Sequence, residues 1–387
     1  MSDMKDPLLV APLPCSRADS LARKFCEHSN AENSLPALIV CWPSSRVNKY
    51  QSLLYRNAAK FGYAVEGIGK LDDLKEIYWP GPVIFHAHWF GQLSKSADSE
   101  VVFRQNIDDA FELILEFQQR TACKMVWTAH NLLPHNSAFP ETDIELRRRI
   151  IERFDLVHFM DKSHPALLEN LIGERPTHTL FAPHPHYGPA HADQISREEA
   201  RDALGFDPSS TILLFFGSIR PYKRLEDLIA AFRKARAESH PELRLAIAGF
   251  PSDAAYVDEI LTLISEDPAI RFVSQKIADE KVQLYFRAAD TVVLPYAGNQ
   301  LNSGAAMLAL TFGCPVIAPD EPAFSALTDY GVSTYDRNEV HSLSAALVGV
   351  SPSLQTANKG FKNKFDPDAV SDLFLAGIDQ LISSTAN

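Results

Sequence analysis

PYAGNQLNSGAAMLALTFGCPVIAP, residues 295–319, reads as a loop, a helix, a glycine stop and a buried strand. The loop carries amide and hydroxyl groups and two glycines, Gly298 and Gly304, just before the helix begins. Small residues there let backbone N–H groups approach a ligand closely, and a helix N-terminus carries partial positive charge. The pattern suits a phosphate. It equally suits a buried helix that needs only a cap, at Asn302 or Ser303.

Working outward, short apolar runs alternate with amphipathic segments. Strands are predicted at Ala37–Trp42, Val83–His88, Lys124–His130, Leu156–Met160 and His178–Ala182. Helices are predicted at Lys49–Phe61, Asn106–Arg120, Glu141–Arg153 and Ser163–Leu171. Continuous apolar strands between helices give the rhythm of a doubly wound parallel sheet. The proline-rich run Pro183–Pro189 breaks it. Ser196-Arg197-Glu198-Glu199 is a capping box, and the rhythm restarts. Strands follow at Ile212–Phe216, Leu243–Ala248, Arg271–Val273 and Thr291–Leu294. Helices follow at Lys223–Arg236, Asp253–Ser265 and Asp279–Ala288. A last helix, Asp366–Ile382, places Val370, Leu373, Phe374 and Ile378 on one side. The expectation is α/β: an N-terminal domain over 1–190, with 1–35 as an extra arm, a C-terminal domain over 191–365, and a terminal helix over 366–387. Two such halves facing a cleft would bind ligand beyond the carboxyl ends of the strands.

The 387 residues require more than one domain. No apolar run is long enough for a transmembrane helix, and the start lacks a secretory pattern, so a cytoplasmic protein is expected. The 5 cysteines form no Cys-x-x-Cys pair, which disfavours a zinc ribbon and a disulfide framework. A net charge of −12 argues against nonspecific nucleic-acid binding.

Two sets of residues could carry chemistry. Gly217-Ser218-Ile219-Arg220-Pro221-Tyr222-Lys223-Arg224 follows a strand and opens a helix. Cations there oppose the helix dipole, a conflict that a bound anion removes. The plain alternative is a solvated basic helix start. In the first half, His86, His88 and His130 end neighbouring strands, and His184 and His186 lie in the proline-rich run. A metal would want a carboxylate or cysteine to complete a ligand set, and none is nearby. Rim histidines with ordinary hydrogen bonds are the alternative. The glycine fingerprints of dinucleotide-binding and P-loop proteins are absent.

From Ile212 to Pro319, and more weakly from residue 37, the chain resembles GT-B glycosyltransferases of glycosyltransferase family 4 and its relatives. The matching elements are Gly217 with Lys223, Leu245-Ala246-Ile247-Ala248-Gly249, Ala289-Asp290-Thr291-Val292-Val293-Leu294-Pro295, and Gly313-Cys314-Pro315-Val316-Ile317-Ala318. His130, after Val126-Trp127-Thr128-Ala129, matches the family's histidine near the transferred sugar. The resemblance implies two Rossmann-like domains, a nucleotide-sugar donor in the C-terminal one, an acceptor in the N-terminal one, and a final helix returning to the first domain. It departs from the family at the Glu-x7-Glu pair, replaced by Gln300 and Leu308, and at Ser218, where the family has arginine and Arg220 would substitute. The Asn302-Ser303-Gly304 loop is similar to that of bacterial surface-polysaccharide transferases, including mannosyltransferases.

The expected function is therefore transfer of a sugar from a nucleotide diphosphate, GDP-mannose before UDP-sugars, to a hydroxyl of a glycan or polyprenyl-linked acceptor. His130, Arg220 and Lys223 are the expected catalytic residues, and no cofactor or metal is expected. Gly217, Ser218, Gly249, Phe250, Gln300, Asn302, Ser303 and Gly304 are expected to bind the donor. His88, Asn131, Glu141 and Asp161 are acceptor-side candidates. A base is needed only if the enzyme inverts; His88, His130, Glu141 and Asp161 could supply it. Arg147, Arg148, Arg149 and Arg153 could meet an anionic membrane surface, or be a solvated helix face. The competing class is a decayed, non-catalytic binding protein, which the missing glutamates favour and the surviving Arg220, Lys223 and His130 oppose.

Overall fold

The computed structural model describes residues 16–28, 35–45, 48–134, 137–238, 240–296, 298, 300–339, 341–350 and 359–383. The chain divides into two compact units, Met1–Pro185 with Asp366–Asn387, and His186–Phe365.

The first unit is a six-stranded parallel sheet. Its strands are β1 (Ala37–Trp42), β2 (Tyr63–Gly67), β3 (Val83–Ala87), β4 (Lys124–Thr128), β5 (Leu156–Phe159) and β6 (Thr179–Phe181), in the order β2-β1-β3-β4-β5-β6. The run of buried residues in β1 and β3 is what helices on both faces demand. β2 carries a glutamate in an apolar run and escapes the sequence pattern. Its Glu66 is nearly buried and takes ion pairs from Arg17 at 3.1 Å and Lys24 at 2.7 Å. Those two cations lie on the helix Arg17–His28, so this part of the expected arm is a packed element; residues 1–15 and 29–34 lie outside the described residues. The helix expected over Lys49–Phe61 is shorter, Tyr50–Leu54, followed by a 3₁₀ turn at Ala58–Phe61 that ends at Gly62 with φ 74°. The terminal helix, Pro367–Ser383, buries Val370, Phe374, Leu375 and Ile378 against Ile39, Tyr55, Tyr63 and Ile84. Leu373 is off this stripe and 49% exposed; Leu375 holds the place assigned to it.

The second unit is also a six-stranded parallel sheet. Its strands are β7 (Thr211–Phe216), β8 (Leu243–Gly249), β9 (Ile270–Ser274), β10 (Thr291–Val293), β11 (Val316–Pro319) and β12 (Val332–Tyr335), in the order β12-β11-β10-β7-β8-β9. This is the doubly wound order, and it reverses between β7 and β10. The Ser196 capping box forms as the sequence predicts. Asp290, at the start of β10, is fully buried. It accepts from the Ile212 amide at 2.7 Å and from Arg201 at 2.7 Å, and pairs with Arg197. One carboxylate thus fixes the helix Arg197–Leu204 to the two central strands, which gives Asp290 a structural duty.

Candidate active site

In an open sheet, the crevice lies where strand order reverses, here between the exits of β7 and β10. Both exits carry candidates for donor binding. Gly217 leaves β7 with φ 147°, a region favouring glycine, and its amide donates to Ala248 at 3.1 Å. A Cβ on Gly249 would stand 1.5 Å from the Gly217 carbonyl oxygen, so only glycine allows these two strand ends to approach. Beyond them, Ile219 donates to the Phe250 carbonyl at 2.8 Å, and Ser252 to that of Ile219 at 3.3 Å. Ser218 is half-buried and Phe250 is exposed at 54%.

The helix expected from Lys223 begins at Leu225. Pro221–Lys223 is instead a tight 3₁₀ turn, closed by Arg224 at φ 52°. Arg224 pairs with Asp227 at 2.7 Å and Glu226 at 3.5 Å, so its charge is answered within the helix. Arg220 is exposed. Lys223 is buried, with Nζ 3.3 Å from the centre of the Tyr296 ring and 4.8 Å from that of Tyr222. Burial, and secondarily Arg220, lowers its pKa to about 7. The ring of Tyr296 offers cation–π attraction, but a desolvated ammonium gains far more from an anion.

Tyr296 also sets the β10 exit. Its hydroxyl lies 2.7 Å from Ser303 Oγ, and Ser303 caps the helix Gly304–Thr311 by accepting from the Ala306 amide at 3.2 Å. The cap is thus Ser303, and the bland reading of the motif is true as far as it goes. A cap does not explain the neighbours. Gln300 Nε2 and Asn302 Nδ2 are buried donors with no hydrogen-bond partner among the described residues. Gln300 is 6% exposed, and an unmet donor there costs about 1–3 kcal/mol. Leu308, at the second family glutamate position, is half-buried on the helix and offers no polar atom. A Cβ on Gly304 would lie 3.1 Å from the Tyr187 hydroxyl.

In the first unit, the histidines form one connected group across β3, β4 and β5. The Tyr55 hydroxyl lies 2.6 Å from His86 Nδ1 and 2.8 Å from His88 Nε2. His88 Nδ1 lies 3.0 Å from His130 Nε2. On the other side, His86 Nε2 is 2.7 Å from Thr128 Oγ1, which is 2.9 Å from His158 Nδ1. His158 Nε2 ends the group 2.9 Å from the Ala182 carbonyl oxygen. Phe374 of the terminal helix stacks on His86 with ring centres 5.1 Å apart, and is equally close to His158. His130 lies two residues past β4 rather than on it, stacked on Trp89 at 4.3 Å with Tyr50 at 5.0 Å. Burial, then neighbouring histidines, pushes His86, His88 and His130 well below the usual imidazole range; His158 falls to about 4, mainly by burial.

The remaining candidates fare differently. Asn131 is half-buried beside His130. Glu141 is exposed in the first turn of the helix Pro140–Arg153, and nothing ties it to the histidines. Asp161 accepts from the amide and hydroxyl of Ser163 at 2.8 and 2.6 Å, occupying it in a turn. His184 lies 4.9 Å from Tyr50 by ring centres, in the first unit, whereas His186 belongs to the second. The arginine tract does not present a row of free cations. Arg147 is buried over Trp127 with Nε donating to the Leu132 carbonyl at 3.1 Å, and Arg149 pairs with Asp108. Arg148 donates to Ile172 and Arg153 lies 3.8 Å from Glu152. Sequence reading missed Tyr55, Thr128, His158 and Tyr296, which look like core residues until their polar atoms are placed.

Residues 210–351 match the family of "Glycosyl transferases group 1". The second unit carries a group 1 glycosyltransferase domain. Over 294 residues, 74% of each chain, the protein is 26% identical to a GDP-mannose:glycolipid 4-beta-D-mannosyltransferase of Xanthomonas campestris pv. campestris. Over 127 residues, 32% of this chain and 27% of the relative, it is 35% identical to a D-inositol 3-phosphate glycosyltransferase of Mycolicibacterium gilvum. The fold matches sucrose-phosphate synthase from Thermosynechococcus elongatus with a TM-score of 0.68 at 16% identity, covering 90% of this chain and all of that one. It also matches Anabaena HepE in complex with UDP-glucose, TM-score 0.63 at 13% identity, covering 89% and 99%. The architecture is thus GT-B, and the glycosyltransferase domain contains every donor-side candidate from Gly217 to Gly304.

Proposed function

We propose that the protein transfers a sugar from a nucleotide-diphosphate sugar, with GDP-mannose favoured, to a hydroxyl of a glycan or polyprenyl-linked acceptor in bacterial surface-polysaccharide synthesis. One observation carries the reading: a buried, desolvated Lys223 sits at the sheet's reversal point in the same domain as two unmet amide donors, Gln300 and Asn302. A diphosphate would take the lysine's charge and a sugar or ribose would take the amides. The likeness to an enzyme named for GDP-mannose supports the donor. A decayed binding protein is disfavoured by the likeness to relatives named as glycosyltransferases.

In the proposed reaction, the bond between the anomeric carbon and the diphosphate oxygen breaks while an acceptor hydroxyl oxygen bonds to that carbon. Lys223 and Arg220, with the amides at the start of the helix Gly304–Thr311, stabilise the charge gathering on the departing diphosphate, an effect worth several kcal/mol. These cations do the work a metal would otherwise do, so the proposed enzyme is metal-independent. The acceptor hydroxyl's proton passes to an oxygen of the departing diphosphate if configuration is retained, and to a basic side chain if it is inverted; His130 is proposed to accept from a sugar hydroxyl. Gln300 in place of glutamate keeps hydrogen bonding to sugar hydroxyls, whereas Leu308 gives up the ribose contact. The protein's working place is proposed as the cytoplasm, with an acceptor at the membrane's inner face. Among the described residues no helix is long and apolar enough to cross a membrane. Because the arginine tract is largely engaged, membrane proximity would come through the acceptor.

A thermal-shift screen of nucleotide diphosphates and their sugars tests the donor. At about 100 times its Kd a ligand adds about 2.7 kcal/mol, several degrees in Tm. GDP and GDP-mannose should give the largest rise. Equal shifts from all nucleotides, or none, would remove the GDP-mannose assignment.

A further inference from the structure

The histidine group of the first unit has one terminus that admits a single hydrogen-bond direction. A carbonyl oxygen has no proton to give, so His158 Nε2–H donates to Ala182. The rest follows by proton counting, given neutral imidazoles. Neutrality is what burial imposes here: His86 and His158 are fully buried and His88 nearly so, and none of the hydrogen bonds in the group involves a carboxylate. The Cys41 thiol beside Tyr55 is also held protonated by burial.

His158, protonated on Nε2, has a bare Nδ1, which accepts from the Thr128 hydroxyl. Thr128 Oγ1, its proton committed, accepts from His86 Nε2–H. His86 Nδ1 is then bare and accepts from Tyr55. The Tyr55 oxygen accepts from His88 Nε2–H, and His88 Nδ1 accepts from His130 Nε2–H. His130 is left with a bare Nδ1, which has no hydrogen-bond partner among the described residues. We propose that this chain, anchored on the Ala182 carbonyl, holds His130 as the Nε2–H tautomer, so that His130 meets its ligand only as a hydrogen-bond acceptor at Nδ1. His158, Thr128, His86, Tyr55 and His88 are then positioning residues for His130.

The consequence is a choice of ligand chemistry. A bare imidazole nitrogen accepts from a hydroxyl and repels a carboxylate or phosphate oxygen. His130 therefore selects for a sugar hydroxyl and against an acidic sugar at the point it contacts. This selection rests on the transferase reading above; the tautomer does not. Phe374 closes the group from water, which would otherwise let Thr128 and Tyr55 turn their protons around.

Long-range ¹H–¹⁵N NMR of the histidine side chains in the full-length protein reads the tautomers without any substrate. At neutral pH, His86, His88, His130 and His158 should all be Nε2–H. An Nδ1–H form of any of the four in the wild type overturns the proposal, whatever the activity. Thr128→Val removes both hydrogen bonds at nearly unchanged shape and cuts the anchor from the other three rings. An Nδ1–H population should then appear at His86, His88 and His130. With GDP-mannose as the probe donor, kcat should fall roughly tenfold while KM stays within about twofold, and Thr128→Ser should restore both signals. A folded Thr128→Val protein whose His130 tautomer is unchanged would show that the chain does not set it. A correct tautomer pattern in a protein without transferase activity would instead refute the function while leaving the chain intact.

Discussion

Lys223 provides a quantitative handle on donor binding. In the free protein its pKa is lowered to about 7 by burial, from an ordinary 10.5. Between two phosphates it should return toward its ordinary range, because the opposite charge offsets the desolvation. Binding is then linked to proton uptake. The affinity scales with the fraction of free protein already carrying the proton, so Kd should rise about tenfold between pH 6 and pH 8. At pH 8 about 0.9 proton should be taken up per donor bound, and at pH 7 about half a proton. The ligand must be a nucleotide-sugar, because both phosphates are esterified and neither titrates in this range; a free nucleoside diphosphate would add its own proton. Isothermal titration calorimetry in buffers of different ionisation heat measures both quantities. Lys223→Arg keeps the charge at every pH and should flatten the dependence. The stability of the free protein moves the other way. The folded pKa lies below the unfolded one, so this group's contribution rises with pH between about 7 and 10.5. A Kd unchanged from pH 6 to pH 8, with no buffer-dependent heat, would refute the assignment of Lys223 to the donor phosphates.

Two further substitutions separate site from scaffold. Gly249→Ala drives a methyl into the Gly217 carbonyl and must push the β7 exit loop aside; donor binding should weaken at least tenfold by calorimetry while the circular dichroism spectrum is retained. Asp290→Ala strands the buried Arg201, and urea unfolding should show a loss of about 3–5 kcal/mol with Kd for the donor little changed in the folded fraction.

Much of the fold is legible in the chain because buried parallel strands announce themselves as apolar runs. β1 and β11 fall where the pattern puts them. β2 and β12, both edge strands, do not: Glu66 interrupts the apolar run of the first, which is nonetheless buried, and the exposed Ser333 and Thr334 interrupt the second. The helix Arg17–His28 is harder to see because its short apolar stripe, Leu21 and Phe25, is flanked by charged residues; Leu21 is buried, Phe25 packs edge-on against Trp79 at 5.3 Å, and ion pairs to Glu66 complete its hold. At the site, the glycines and cations after β7 are legible because glycine and charge stand out against an apolar background. The environment that gives Lys223 its chemistry is not. Tyr222 and Tyr296 are far apart in sequence and become a pair of rings around one ammonium only through the β7–β10 adjacency. The histidines were visible singly, whereas their order was set by Tyr55 and Thr128, ordinary core residues in any one-dimensional reading.

The central claim is that Lys223 stabilises the departing diphosphate of a nucleotide-sugar. Transfer of labelled mannose from GDP-mannose to a polyprenyl-diphosphate-linked glycan, compared between wild type and Lys223→Ala, tests it directly. The wild type should form a glycosylated product, and the variant should turn over at least about 10²-fold more slowly. Equal turnover by the two proteins would contradict the claim.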